Sequence, residues 1–283
     1  MPPPAPTSPT PTSPTSASPT SPAPASSANP APAPRRPLPR PPHSRPGGPA
    51  PWAMLPPDER RGITLDRVLA VVGHPGTIGP TPPTPAPALA TPAPALATPP
   101  PARPAAVLVP LFEEGGETRV VLTVRSDQLH SHTGEVAFPG GRLDAGEGVV
   151  EGALREAFEE VGLDPGLATV VGQLTALPTV SSDTVMTPVV ATLADRPSLT
   201  PNPGEVDRVF DVALADLVAD GVFHEEWWSV PDRVAGDGFP VGEFPVWFFA
   251  VAGETVWGAT ARTLVELVCL VLGVDVPTTL HPR

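Results

Sequence analysis

Apolar and polar residues follow two different rhythms along this chain. Short runs rich in Val, Leu and Phe, bounded by Gly, Pro and Asp, predict strands, whereas apolar residues spaced three and four apart predict helices. The predicted strands are 106–112, 119–125, 168–174, 187–193, 206–212 and 244–252, and the predicted helices are 148–161, 214–219 and 259–272. Strands interleaved with a few helices indicate an α/β fold in which helices pack against a mixed sheet.

A further amphipathic helix is predicted upstream, within residues 51–75. Its apolar residues share one helical face, with Thr64 as N-cap and Gly73 as the C-terminal stop. These apolar residues are Leu65, Val68, Leu69 and Val72. Because one short helix cannot bury its own apolar face, we expect it to dock on the folded domain. Met54, just before this helix, is a second candidate for the start of translation.

Proline content divides the chain into folded and unpacked parts. The 283 residues include 47 prolines, and residues 1–50 are almost entirely Pro, Ala, Ser and Thr with a few arginines. Residues 76–103 contain the sequence PAPALAT twice in succession. Such compositions bury too little apolar surface to offset the entropy of ordering, so we predict a disordered tail over 1–50 and a linker over 76–103. The compact domain is expected over 104–275, followed by a short C-terminal tail, 276–283.

Charge and composition exclude several classes of function. The formal net charge of −13 argues against nucleic acid as a partner. All 17 basic residues are arginines, which excludes a lysine Schiff base and a Walker-type phosphate loop. The single Cys269 lies in an apolar run and cannot form an intrachain disulfide. Because no apolar run is long enough to span a membrane and the N-terminus lacks a hydrophobic leader, we expect a cytoplasmic protein without a membrane partner.

Carboxylates gather on one predicted helix, downstream of a glycine bend. Gly140 and Gly141 form the bend, and the helix carries Glu156, Glu159 and Glu160. Since successive helical residues rotate by about 100°, these three carboxylates share a face. Their mutual repulsion favours a divalent cation, and hard oxygen ligands without nearby His or Cys select Mg²⁺ or Mn²⁺. A solvated acidic helix face is the alternative interpretation.

The spacing around these glutamates resembles the Nudix box. Gly141 is followed by five residues, Glu147, seven residues and then REAFEEVGL. This fills every fixed position of the pattern G, x5, E, x7, REUxEExGU, with the small Ala157 at the first bulky position. The resemblance implies an α/β/α sandwich with a mixed sheet, and a metal-dependent hydrolase. Within it, Glu147 would support the loop or bind metal through water.

The same resemblance implies roles for the helix residues. Glu156 and Glu160 would be the principal metal ligands, and Glu159 and the Gly141 carbonyl would complete the metal's coordination. Arg155 would hold the glutamates by charge-assisted hydrogen bonds. Glu159, Glu160 and Arg155 are therefore the candidate catalytic residues of the helix.

A second motif precedes the box and indicates the class of substrate. The run VLTVRS at 121–126, then Gly134, then FPGG at 138–141 resemble the motif LLTxRS, x3, R, x3, G, x3, FPGG of coenzyme A pyrophosphatases. Val121 replaces a leucine, and His130 stands where an arginine is expected. A neutral imidazole offers less to the nucleotide's 3′-phosphate than a guanidinium does. The expected substrate contacts are Arg125, His130, Phe138 and Gly140.

Two features further along the chain have alternative interpretations. Glu205 precedes the run VDRVFDVALADL and is a candidate distal metal ligand or general base, with a loop-capping role as the alternative. Trp227 and Trp228 could stack on adenine, but core filling is the preferred interpretation.

Three hypotheses for the function follow. The first is metal-dependent hydrolysis of the pyrophosphate bond in coenzyme A or acyl-coenzyme A, giving 4′-phosphopantetheine, or its acyl form, and 3′,5′-ADP. The second keeps the reaction but changes the substrate to another nucleoside diphosphate derivative, such as ADP-ribose or NADH. The third is a non-catalytic nucleotide-binding scaffold whose proline-rich tail recruits partners. The expected partner is a small nucleotide of the coenzyme A type, and a homodimer is a possible assembly.

Overall fold

The computed structural model describes residues 1, 38, 40–41, 43–72, 103–129, 133–179, 184–230 and 242–277. Most of the predicted tail and nearly all of the predicted linker lie outside these residues, as do Gly73 and residues 278–283. The disorder of the tail and the linking role of residues 76–103 therefore stay predictions.

Within these ranges the chain forms two β-sheets and four α-helices. The strands are β1 Ser44–Pro46, β2 Arg103–Glu114, β3 Glu117–Arg125, β4 Val136–Ala137, β5 Gly140–Arg142, β6 Thr169–Gln173, β7 Leu177–Thr179, β8 Thr184–Thr192, β9 Val206–Ala213, β10 Phe223–Val230, β11 Gly242–Val251 and β12 Glu254–Trp257. The helices are α1 Leu65–Val72, α2 Val149–Val161, α3 Leu214–Leu217 and α4 Gly258–Leu272. All predicted strands and helices are confirmed, and β1, β4, β5, β7, β10 and β12 are additional.

The larger sheet is mixed, as predicted. Its central strand β2 runs parallel to β8 and antiparallel to β3, and β3 also pairs with β9 and β4. The smaller sheet is antiparallel, in the order β1, β10, β11, β12. The short β5 pairs with the start of β2, which brings the predicted glycine bend against the middle of the larger sheet.

Helices cover both faces of the larger sheet. Alternate residues of β2 point to opposite sides, so Ala106 and Leu108 pack in the cluster that contains α2, whereas Val107 and Val109 pack in the cluster that contains α1 and α4. The resulting order is helix, sheet, helix, which confirms the predicted α/β/α sandwich. Burying each Val or Leu side chain contributes about 1.5–3 kcal/mol to folding.

Helix α1 docks as its apolar stripe predicts. Val68 and Val72 are buried in the core, and Thr64 Oγ1 accepts a hydrogen bond from the Arg67 N–H at 3.5 Å. The backbone of Val72 lies so close to Gly172 of β6 that a side chain at Gly172 would overlap it. In the described part of the chain, every helix is too short or too polar to cross a bilayer.

The smaller sheet carries aromatic residues on both faces. Trp247 and Phe249 point into the buried cluster that contains α1 and α4, which is the main core. Trp228 and Phe248 form a separate cluster on the outer face, together with Leu38. Trp228 is buried there, so the core-filling interpretation is confirmed for it.

Residues 43–50, which composition assigned to the tail, lie against the smaller sheet. Ser44–Pro46 pair with β10, and Arg45 forms an ion pair with Glu243 at 2.6 Å. Composition does not predict this strand, because the backbone hydrogen bonds that pair it with β10 need no apolar side chains.

Candidate active site

The glycine bend is held tightly against β2. Gly140 has φ 155°, and a Cβ added to it would lie 2.5 Å from the Val107 Cα. A residue with a side chain would therefore push the bend away from the sheet. The close approach leaves the Gly140 N–H directed at the last turn of α2.

Glu160 receives that N–H. Its Oε2 accepts the hydrogen bond at 3.0 Å, and Arg125 Nη1 lies 3.6 Å from its Oε1. The residue is only 4% exposed. Burial raises the pKa of Glu160 to about 7, and the charges of Glu156 and Glu205 act in the same direction, while Gly140 and Arg125 oppose them. Glu160 is thus a buried carboxyl group whose charge is only partly compensated.

Arg155 is the centre of a hydrogen-bond network on the same helix. Its Nε and Nη2 donate to the two carboxylate oxygens of Glu147 at 2.8 and 2.9 Å, and its Nη1 donates to Glu156 at 3.0 Å and Glu159 at 3.2 Å. The Arg155 hydrogen bond is the main cause that lowers the pKa of Glu147 to about 2. Glu147 also accepts the Asp144 N–H at 2.9 Å, which is the loop support that the resemblance offered as one of its two roles.

Glu156 packs directly on Gly141. A Cβ at that glycine would lie 2.5 Å from the Glu156 Cδ, so the carboxylate occupies the space that a side chain would take. Desolvation raises the pKa of Glu156, Arg155 lowers it, and the charges of Glu159 and Glu205 raise it further. The loop before β9 contacts the end of α2, because the Asn202 N–H donates to the Glu160 carbonyl at 2.8 Å, and the charge of Glu205 raises the pKa of both Glu156 and Glu160.

The structure brings most of the predicted residues together, with two exceptions. Phe138 is 2% exposed and packs in the buried cluster that contains α1 and α4, and its contact with substrate stays a prediction. An aromatic residue beside two glycines anchors the bend through burial. His130 lies outside the described residues. The side chain of Glu159 is 52% exposed, at the rim of the acidic face.

Sequence reasoning missed one residue of this region, Ser126. It is fully buried, and its N–H donates to the Glu205 carbonyl at 2.8 Å. The signal available in the sequence was its place directly after Arg125 in the upstream motif.

The donor set fits a hard divalent cation. Among the residues that the structure describes, no three His, Cys, Asp or Glu side chains form a ready-made metal-binding group. Arg155 pairs with Glu156 and Arg125 with Glu160, but the charge of Glu160 is only partly compensated, so a cation would stabilise the ionised carboxylates. Carboxylate and carbonyl oxygens without nearby thiols suit Mg²⁺ or Mn²⁺.

Comparisons with known proteins all give matches to Nudix proteins. The profile of the NUDIX domain matches residues 102–231. Nudix hydrolase 3 of Caenorhabditis elegans is 40% identical over 116 residues, which cover 40% of this chain and 48% of that protein. The uncharacterized Nudix hydrolase NudL of Photorhabdus laumondii is 36% identical over 166 residues, which cover 58% of this chain and 83% of that protein.

A mammalian relative has a named substrate. The peroxisomal coenzyme A diphosphatase NUDT7 of Mus musculus is 42% identical over 123 residues, which cover 43% of this chain and 51% of that protein. The chain therefore spans about half the length of the worm and mouse relatives.

Proposed function

This chain belongs to the Nudix hydrolase family, and from that premise we propose that it is a metal-dependent pyrophosphohydrolase acting on coenzyme A or acyl-coenzyme A. The products would be 4′-phosphopantetheine, or its acyl form, and 3′,5′-ADP. The observation that carries the proposal is that Glu156 packs on Gly141 and Glu160 accepts the Gly140 N–H, with the Arg125 guanidinium 3.6 Å from Glu160. The loop that carries Glu205 is bonded to the end of the same helix.

The proposed cofactor is Mg²⁺ or Mn²⁺. Glu156 and Glu160 would hold it, with the Gly141 carbonyl and Glu159 completing the donor set. Glu205 would be either a distal ligand or the general base. When bound, the ion would neutralise charge on the phosphate oxygens and lower the pKa of a bound water.

The protein's own groups supply the remaining functions. Glu205 is the candidate general base, which would accept a proton as the water oxygen bonds to one phosphorus. The bond from that phosphorus to the bridging oxygen breaks, and its electron pair leaves with the second phosphate. Arg125 would bind the substrate phosphates, and the Gly140 N–H would keep Glu160 in place. Arg155 would hold Glu147, Glu156 and Glu159 in one arrangement.

Two observations support a coenzyme A substrate. The upstream run VLTVRS and the following FPGG are similar to the coenzyme A pyrophosphatase motif, and Arg125 of that run lies 3.6 Å from Glu160. The mouse relative is named as a coenzyme A diphosphatase.

The deciding experiment is a substrate panel with the products identified by mass. Coenzyme A, acetyl-coenzyme A, ADP-ribose and NADH would be incubated with the purified chain and Mg²⁺ or Mn²⁺, with Glu160→Gln as the control. We expect 4′-phosphopantetheine and 3′,5′-ADP from coenzyme A, no turnover without metal, and a large loss in the variant. Intact coenzyme A and acetyl-coenzyme A would sink the substrate assignment. Full turnover by Glu160→Gln would show that the activity does not come from this site, whereas no turnover of any substrate by the wild-type chain would favour the non-catalytic scaffold.

His130 favours a second candidate substrate, another nucleoside diphosphate derivative such as ADP-ribose or NADH. The resembling motif has an arginine at this position, and only an arginine pairs bidentately with a phosphate. If ADP-ribose is the substrate, the wild-type chain should prefer it, and His130→Arg should improve kcat/KM for coenzyme A alone. Equal kcat/KM of the two proteins on coenzyme A would remove the basis of this alternative.

Compartment and assembly are proposals of the same kind. We keep the cytoplasm as the proposed compartment, although the mouse relative is named as peroxisomal. Cell fractionation tests the compartment, and sedimentation equilibrium tests whether the chain forms a homodimer.

A further inference from the structure

Residues 200–205 are a loop, the last six residues of the segment between β8 and β9, and they lie against the C-terminal end of α2. The loop is fastened to the end of α2 by two backbone hydrogen bonds. The Thr200 N–H donates to the Val161 carbonyl at 2.9 Å, and the Asn202 N–H donates to the Glu160 carbonyl at 2.8 Å. The residue that carries the buried carboxylate therefore also anchors this loop.

Three hydrogen bonds within the loop close it into a turn. The Asn202 carbonyl accepts hydrogen bonds from the N–H groups of Glu205 at 2.9 Å and Val206 at 2.8 Å. The Asn202 side chain accepts a further bond from the Gly204 N–H at 3.2 Å. A turn closed by three bonds moves as one unit, so the position of Glu205 depends on what holds the unit from outside.

Ser126 holds it from the other side. Its N–H donates to the Glu205 carbonyl at 2.8 Å, and its hydroxyl donates to the Pro203 carbonyl at 3.1 Å. The same hydroxyl accepts the Gln128 N–H at 3.3 Å, and Ser126 is 0% exposed. A buried hydroxyl that both donates and accepts cannot be replaced by an apolar group without leaving its partners unpaired.

We propose that Ser126 is a positioning residue that fixes Glu205 relative to Glu160. The inference rests on the proposed function, in which both carboxylates take part. Arg125 contacts Glu160 through its side chain, and Ser126 contacts the Glu205 loop through its backbone and hydroxyl. One dipeptide at the end of β3 therefore sets the separation of the two acidic groups. A displacement of about 1 Å in such a group can cost up to about 100-fold in rate.

The test is a double-mutant cycle of Ser126→Ala and Glu205→Gln, measured as kcat and KM on the best substrate of the panel. We expect Ser126→Ala to lower kcat at least about 10-fold while KM changes less than about 2-fold. In the Glu205→Gln background, Ser126→Ala should change kcat less than about 2-fold, because the group that it positions is already lost. An equal fold-loss in both backgrounds would overturn the proposal.

Two controls separate positioning from general damage. Thr263→Val removes another fully buried hydroxyl that donates to a backbone carbonyl, that of Ala259 at 3.0 Å, and should lower stability without lowering kcat. Ser126→Thr keeps the hydroxyl and should retain kcat within about 3-fold; if Ser126→Ala fails to fold, Ser126→Cys replaces it in the cycle. A Ser126→Thr protein that folds but is as slow as the variant without a hydroxyl would contradict the proposal.

Failure of the pyrophosphohydrolase proposal can be distinguished from failure of the Ser126 proposal. If the wild-type chain hydrolyses no substrate of the panel, the pyrophosphohydrolase proposal fails, and the same cycle is measured as Mn²⁺ affinity. Non-additive losses of Mn²⁺ affinity would still support Ser126 as the residue that positions Glu205, whereas additive losses would overturn it.

Discussion

Glu160 links the stability of the metal-free protein to pH. Its pKa is raised from 4.5 to about 7 in the fold, chiefly by burial. A carboxyl group whose pKa is higher in the folded state stabilises the fold while protonated, so its contribution is complete below 4.5 and is lost as pH rises through 7. We expect the free energy of unfolding to fall by about 3 kcal/mol between these limits from this group alone.

Urea unfolding in EDTA at pH 5 and pH 8 measures this effect. Glu160→Gln should remove most of the loss seen at pH 8, whereas Glu159→Gln, at a position that is 52% exposed, should leave it unchanged. Saturating Mg²⁺ should restore the stability of the wild-type chain at pH 8, because the proposed site would bind the ion only in the folded state. The same pH dependence in Glu160→Gln as in the wild type would contradict this account.

Gly141 provides the space that Glu156 occupies. Gly141→Ala would bring its Cβ within 2.5 Å of the Glu156 Cδ, so the carboxylate must move. Because that carboxylate ends a flexible side chain, we expect the fold to persist while Mn²⁺ affinity and turnover each fall at least about 10-fold. Gly48→Ala, whose new Cβ has its nearest neighbour at 3.8 Å, is the matched control. Unchanged Mn²⁺ affinity in Gly141→Ala would show that Glu156 is not a ligand.

Residue spacing predicted the acidic face of α2 because helical geometry fixes which residues are neighbours. It could not predict that Phe138 turns into the core, since a loop residue has no periodicity that reveals its direction. Ser126 was missed for a related reason. Its partners lie about 77 residues away in sequence, and a buried hydrogen bond is visible only once both segments are folded together.

At the scale of elements, the long periodic segments were predictable and the short ones were not. Helices α2 and α4 have apolar stripes over three turns or more, and β2 has a continuous apolar run. Strand β4 has two residues and β5 has three, which is too few for any pattern. Strand β1 is set by pairing with β10, some 180 residues away, and not by its own composition.

The docking of α1 is predicted to depend on one glycine of β6. A Cβ added to Gly172 would lie 2.7 Å from the Val72 carbonyl oxygen, and backbone cannot move aside as a side chain can. We expect Gly172→Ala to lower the free energy of unfolding by about 1–3 kcal/mol, the usual range for overpacking. Urea unfolding measures it, again with Gly48→Ala as control.

The second measurement for Gly172→Ala is the kcat of the variant, compared with that of the wild type. Helix α1 contributes none of the groups at the candidate site, so kcat should match that of the wild type under conditions where both proteins are folded. An unchanged unfolding midpoint would mean that α1 does not rest on β6 in solution.

At the scale of the whole molecule, the segment before α1 is part of the folded unit. Trp52 is 1% exposed, and its ring lies 5.3 Å from that of Phe223 and 6.2 Å from that of Phe249. Further upstream, Arg40 pairs with Glu226 at 2.9 Å and Arg45 pairs with Glu243. The aromatic contacts are buried and the ion pairs are exposed, so most of the stabilisation should come from Trp52.

A chain that begins at Met54 should therefore be much less stable than one that begins at Leu38. Losing a buried Trp costs about 3–5 kcal/mol, which is a large part of the roughly 5–15 kcal/mol that holds a domain folded. Urea unfolding of both truncated chains measures the difference, and Trp52→Ala in the full chain should reproduce most of it. If both truncated chains unfold at the same urea concentration, Trp52 does not anchor this segment. If they differ as expected, the folded unit begins about a hundred residues upstream of the Nudix box, in a region whose high proline content predicts no packed structure.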